Sequence, residues 1–237
     1  MKVGIIIQAR IGSQRLPGKV LKNIDGKTIL EILIKRIQAC DLPIIVATTV
    51  NKKDDILVEK LNALNIQFFR GNEEDVLSRF YECALENKFE TIIRLTADNP
   101  FVDAKLIKKV TSGFISENNE NLYMSTGMYP IGIAVEIFSF RSLADAFFNA
   151  TNPKEREHVT PFIINKKDIV KRQINYKSDK EHYRLSIDTI EDFKLVEELI
   201  GHYNAENLTI DELIKVLDEH PELVQINSNV HQKKWNE

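Results

Sequence analysis

Apolar and polar positions follow two rhythms along this chain. Val3 to Ile7 is an unbroken apolar run rich in β-branched residues, with the length and content of a buried strand. From Thr28 the rhythm changes: Ile29, Leu30, Leu33, Ile34 and Ile37 recur at helical spacing, so residues 28–39 predict a helix. The exchange repeats with a strand over 44–48, a helix over about 53–64, a short strand over 66–69, a helix over 74–86 and a strand over 91–96. Strands alternating with helices of this length predict an α/β protein built on a single doubly wound, mostly parallel sheet.

The second half is less regular. A helix over 104–116 precedes a polar turn at 117–121, and strands follow near 122–125 and 133–138. Helices are expected over 140–150 and 155–165, strands over 169–176 and 183–187, and closing helices over 191–203 and 210–219. The polar break at 117–121 predicts a small β-rich excursion from the sheet, without a second domain. Residues 1–226 are therefore expected to form one domain and 227–237 a loose polar tail.

With 237 residues, 43% of them hydrophobic and 28% charged, the chain can bury one sizeable core. A net charge of −3 argues against a general nucleic-acid binder. No apolar run approaches membrane-spanning length, and Arg10 comes too early for a secretory signal, so the cytoplasm is the expected location and no membrane partner is expected. Cys40 and Cys83 both fall in helical patterns and read as reduced, partly buried thiols.

Candidate chemistry concentrates in the stretch from Gln8 to Lys19, between the first strand and the first helix. Gly12 and Gly18 permit close approach of the backbone to a ligand, and successive backbone N–H groups can cradle an anion. Arg10, Arg15 and Lys19 add three cations with no acid among them. The spacing is neither a Walker A loop nor a dinucleotide fingerprint. A phosphate site and an ordinary βα loop with a solvated basic face both remain open at this point. Two acids stand just past predicted strands, Asp98 after residues 91–96 and Asp188 after 183–187. In an open parallel sheet such residues face the ligand crevice, and two carboxylates beside phosphates suit Mg²⁺. Turn and capping roles are the alternative, since Asp98-Asn99-Pro100 is good turn chemistry and Asp188-Thr189 precedes a helix.

The wording of these stretches is similar to that of a known family. Ala9, Arg10, Gly12, Ser13, Arg15, Leu16, Pro17, Gly18 and Lys19 resemble the signature loop of the cytidylyltransferases that make CMP-activated acidic sugars, closest to the SpsF branch. Residues 94–100 resemble that family's metal-binding strand end, and 184–189 with Glu191 and Asp192 its second acidic motif. Ala97 and Asn99 replace the usual Gly and Cys of SpsF-like chains, and Ile131 stands where relatives carry an acid between Pro130 and Gly132.

The resemblance implies a Rossmann-like nucleotidyltransferase fold, CTP and a sugar as substrates, Mg²⁺ on Asp98 and Asp188, and a possible homodimer. It implies that Arg10, Arg15 and Lys19 hold the triphosphate, with Ala9, Gly12 and Ser13 in the same loop. Thr48 is implied near the base, and Arg70, Asp75 and Arg79 between base, ribose and sugar. Asp75 is also a natural first-turn helix acid, and Arg70 an ordinary surface cation. Arg156, Glu157 and His158 resemble a segment facing the sugar; an exposed helix start and a core-edge histidine are the alternative. Glu136, an acid in an apolar strand pattern, requires a partner or a ligand. The expected reaction is cytidylyl transfer for a bacterial surface polysaccharide. The alternatives are a nucleotidyltransferase using another triphosphate or an alcohol phosphate, a metal-dependent glycosyltransferase, and a non-catalytic nucleotide-binding partner.

Overall fold

The apolar run at the start of the chain forms β1 (Val3–Gln8), and its neighbours show why it need not alternate in polarity. Ile5 and Ile7 pack into one hydrophobic cluster and Ile6 into another on the opposite face, so both sides of the strand are dry. The computed structural model describes residues 1–232. The chain continues through a hairpin of β2 (Asn23–Ile24) and β3 (Lys27–Thr28), α1 (Ile29–Ile37), β4 (Ile44–Thr49), α2 (Asp55–Ala63), β5 (Phe68–Gly71), α3 (Val76–Glu86), β6 (Thr91–Thr96) and α4 (Ala104–Ser116). The second half adds β7 (Leu122–Gly127), β8 (Glu136–Ser139), α5 (Phe140–Asn149), α6 (Pro153–His158), α7 (Pro161–Asn165), β9 (Val170–Asn175), α8 (Ile190–Tyr203), α9 (Ile210–Glu219) and α10 (Pro221–Gln225).

The main sheet has seven strands in the order β5-β4-β1-β6-β8-β7-β9. β4, β1, β5 and β6 pair in parallel, β8 runs antiparallel to both β6 and β7, and β9 is parallel to β7. Every strand but β8 thus points the same way, which is the mostly parallel, doubly wound α/β sheet expected. The β-rich part of the second half continues this sheet. Because β8 is reversed, its first residue, Glu136, lies at the edge where the parallel strands end, opposite Arg94 in register.

Three local expectations need correction. The helix expected over 155–165 is two short helices, because Val159 adopts φ 70° and Pro161 cannot extend the preceding turn. The strand expected over 183–187 makes only a single bridge, Ile131 to Arg184. Its backbone is divided between two neighbours, with Leu185 N donating to Ile131 O and Ile187 N to Asp98 O, so no one strand can ladder along it. Asn227, expected to open a loose tail, is buried and donates to Arg184 O at 3.0 Å and Asp192 Oδ1 at 2.9 Å. Residues 233–237 of that tail lie outside the described residues. No helix among the described residues is long and apolar enough to cross a membrane.

Candidate active site

The loop after β1 is held from below by a buried acid. Ala9 N extends the ladder by donating to Ala47 O, and Ile11 N then donates to Asp54 Oδ1 at 2.7 Å. Asp54 is fully buried and its other oxygen accepts from the Thr49 hydroxyl. Gly18, in the left-handed region at φ 69°, turns the chain and lets its N–H reach Ile11 O. This turn directs Lys19 inward.

Lys19 is where the two distant acids meet. Its Nζ lies 2.6 Å from Asp98 Oδ2 and 2.9 Å from Asp188 Oδ1, although the three residues come from separate parts of the chain. Asp98 also accepts from the Thr96 hydroxyl at 2.5 Å. Asp188 also pairs with Arg15 at 3.0 Å and with Arg184 at 2.7 Å. Burial works against the charge on Lys19, but the two carboxylates outweigh it and raise its pKa above the ordinary value. Burial likewise opposes the charge on Asp188, and Lys19, Arg15 and Arg184 together hold its pKa below the ordinary value. Asp192 fixes the arrangement from behind, accepting from Arg184 Nε at 2.8 Å and from the backbone N–H groups of Asp188 and Thr189.

A cavity of about 350 Å³ opens over this cluster at the carboxyl edge of the sheet. Of the candidate residues, Ala9, Arg10, Ser13, Arg15 and Lys19 line it from the loop, and Asp98 and Asp188 from the strand ends. Arg79, Glu157 and His158 close the far wall. Arg79 is almost wholly buried, donates to Asn72 O at 2.6 Å, and has no ion-pair partner among the described residues. Burial, with the nearby charge of Arg10, lowers its pKa to about 10. Burial also lowers the pKa of His158, aided by Arg94 and Lys154.

The remaining candidates do not line the cavity, and the charged ones among them spend their polar groups on the protein. Arg70 donates to Thr49 O and Asn51 O and pairs with Asp55. Asp75 caps α3 and pairs with Arg156, which also donates to Phe147 O and Ala150 O. Glu136 accepts from Arg94, Tyr123 and Thr160. Thr48 is buried, and its hydroxyl has no hydrogen-bond partner among the described residues. At Gly12 a Cβ would lie 2.7 Å from Lys53 Nζ, so the glycine makes room for the Lys53–Glu73 pair.

Sequence reasoning missed Gln8 as a lining residue, and missed Arg94, Asp54 and Arg184 as supports. A polar residue closing an apolar strand was the available signal for Gln8, and an arginine inside a strand pattern the signal for Arg94. The donor set also bears on a metal. Two carboxylates converge on one cationic nitrogen, and no group of three or more His, Cys, Asp or Glu joins them among the described residues. That set fits Mg²⁺, which is commonly held by one or two carboxylates together with substrate phosphates and water.

The sequence profile described as Cytidylyltransferase matches residues 4–223. Spore coat polysaccharide biosynthesis protein SpsF of Bacillus subtilis (strain 168) is 33% identical over 228 residues, 92% of this chain and 94% of its own. A protein of Methanocaldococcus jannaschii, MJ1063, described as uncharacterized, is 41% identical and covers 100% of this chain and 99% of its own. Among solved structures, a cytidylyltransferase from Leptospira borgpetersenii serovar Hardjo-bovis superposes with a TM-score of 0.90 at 29% identity, covering 99% of this chain and 100% of its own.

Proposed function

This chain belongs to the cytidylyltransferase family, and from that premise we propose that it transfers the cytidylyl group of CTP to an oxygen of an acidic sugar, releasing pyrophosphate. The observation that carries the reading is the meeting of Lys19 and Arg15 with Asp98 and Asp188 at the mouth of the glycine loop. In the proposed reaction the sugar oxygen forms a bond to the α-phosphorus in line with the bond that breaks to pyrophosphate. The hydroxyl proton passes to solvent. Such chemistry depends chiefly on positioning and on neutralising charge. Arg10, Arg15 and Lys19 hold the β- and γ-phosphates and stabilise the leaving group. Asp98 and Asp188 would hold Mg²⁺, which when bound neutralises phosphate charge and lowers the pKa of a coordinated hydroxyl. The product would be a CMP-sugar made in the cytoplasm, where nucleoside triphosphates are available, for a surface polysaccharide.

The test is thermal unfolding with Mg²⁺ and each of CTP, UTP, GTP, ATP and dTTP, followed by pyrophosphate release with a panel of hexuronates and ulosonates. A ligand at about a hundred times its Kd adds roughly 2.7 kcal/mol, a midpoint rise of roughly 5 to 10 °C for a chain of this size. A rise confined to CTP, with release abolished in a folded Asp98→Ala variant, supports the reading. An equal response to all five nucleotides, or undiminished release in that variant, overturns it.

A further inference from the structure

We propose that Gln8 reads the acceptor sugar, its carboxamide N–H groups donating to the sugar's carboxylate, and that Glu136 is the positioning residue that aims it. The proposal rests on the cytidylyl-transfer reading. Gln8 is the last residue of β1 and lines the cavity. Its Oε1 accepts from Arg94 Nη2 at 3.0 Å. A guanidinium has donors only, so the amide atom facing it is the oxygen, and the two N–H groups are left for the cavity.

Arg94 is itself fixed. Its Nη1 pairs with Glu136, directly across the β6–β8 register. Glu136 also accepts from the Tyr123 hydroxyl and from Thr160 Oγ1, the latter at 2.9 Å. Three donors occupy the two carboxylate oxygens, so Glu136 acts through its neighbours and not on a ligand. Burial and the Glu136 charge push the Tyr123 phenol well above its ordinary pKa, which keeps it a donor. Thr160 closes a γ-turn: Val159 has φ 70° and ψ −57°, and Thr160 N donates to His158 O at 2.8 Å. That conformation is rare for a β-branched residue, and Val159 is fully buried in it. The turn places His158 on the cavity wall. Glu136 therefore ties the floor of the cavity, through Arg94 and Gln8, to its wall, through Thr160.

This network determines what the cavity end can bind. The charge of Arg94 is answered by Glu136, so Gln8 contributes hydrogen-bond donation with little net charge. Arg79, buried in the same cavity without an ion-pair partner among the described residues, contributes the positive charge. Amide donors in a cavity that also holds a buried guanidinium suit a carboxylate better than a hydroxyl.

The experiment measures pyrophosphate release, varying the hexuronate or ulosonate that supports turnover at saturating CTP, and CTP at saturating sugar. Gln8→Ala should raise the sugar KM at least tenfold and leave the CTP KM within twofold. Gln8→Glu keeps an acceptor for Arg94 but sets a carboxylate against the substrate's own, so its sugar KM should rise further and ease as pH falls. Glu136→Gln should raise the sugar KM like Gln8→Ala, and the double variant should add nothing, as expected if Glu136 acts through Gln8. In the ligand-free protein, ¹⁵N relaxation should show the Gln8 amide rigid in wild type and mobile in Arg94→Met. An unchanged sugar KM in Gln8→Ala, or a wild-type Gln8 amide as mobile as that of exposed Gln14, overturns the proposal. If no sugar acid supports release in wild type, the reaction assignment fails, while the relaxation arm still decides whether Gln8 is aimed.

Discussion

Replacing Asp192 with Ala should destabilise the protein more than any change at the cavity surface. Asp192 is 1% exposed and accepts from Arg184 Nε, Arg184 Nη2, Asp188 N, Thr189 N, the Thr189 hydroxyl and Asn227 Nδ2. It is also the N3 partner in the capping box that starts α8. Truncation leaves the buried Arg184 guanidinium with Asp188 as its one remaining carboxylate among the described residues and strips two backbone N–H groups of their acceptor. Breaking a buried pair by removing one partner costs about 3–5 kcal/mol. At about 2–4 °C per kcal/mol for a chain of this length, the midpoint should fall by roughly 6 to 20 °C. Circular dichroism melts, repeated in guanidinium, measure the loss. The double variant with Arg184→Met should be less unstable than Asp192→Ala alone, because it removes a buried charge that has lost one of its two carboxylates among the described residues. A midpoint within about 2 °C of wild type for Asp192→Ala, on the scale above, or a double variant whose losses simply add, would refute the view that this acid compensates Arg184.

Three further outcomes follow from the same structure. The folded pKa of Asp188 lies below its ordinary value of 3.8, so its contribution is present above that pH and lost as acid carries the protein down through the folded pKa; the raised pKa of Lys19 adds stability below 10.5 that is lost on going up through its folded value. Melting midpoints across pH should therefore fall at both extremes, and Asp188→Asn should flatten the acid limb. Burial pushes the Cys83 thiol up to about 12 and raises that of Cys40, so iodoacetamide at neutral pH should label neither in the native protein and both once it is unfolded, as mass spectrometry will show. Alanine at Gly18, where φ is 69° and nothing lies within 4 Å of a Cβ, should cost only about 1–2 kcal/mol; alanine at Gly132, φ 97° with Ser186 N 2.3 Å away, should cost clearly more in denaturant melts, because the backbone before Asp188 has to move.

Much of the architecture was legible because burial has a period. Residues 3–7 read as a buried strand, 44–48 and 91–96 as further strands, and the 3.6-residue rhythm located the helices between them. That Asp98 stands at the carboxyl edge also followed from the parallel-sheet rule, whereas Asp188 reaches the same place from a segment that makes only one bridge. Periodicity says nothing, however, about direction or partner. The reversal of β8 and the divided hydrogen bonding of 183–187 depend on which distant segment each backbone meets, and the split of 155–165 on a local turn at Val159 that the helical rhythm hides.

The same division runs through the site. Residue chemistry and loop spacing marked the cations Arg10, Arg15 and Lys19 and the two acids. Tertiary structure alone decided which charges face the cavity and which are consumed inside the protein. Arg70, Asp75, Arg156 and Glu136 carry the right groups for a ligand, yet each is already paired with Asp55, Arg156, Asp75 or Arg94. A charge advertises its need for a partner in the sequence; whether that partner is the protein or the substrate is settled by distances of about 3 Å between residues far apart in the chain.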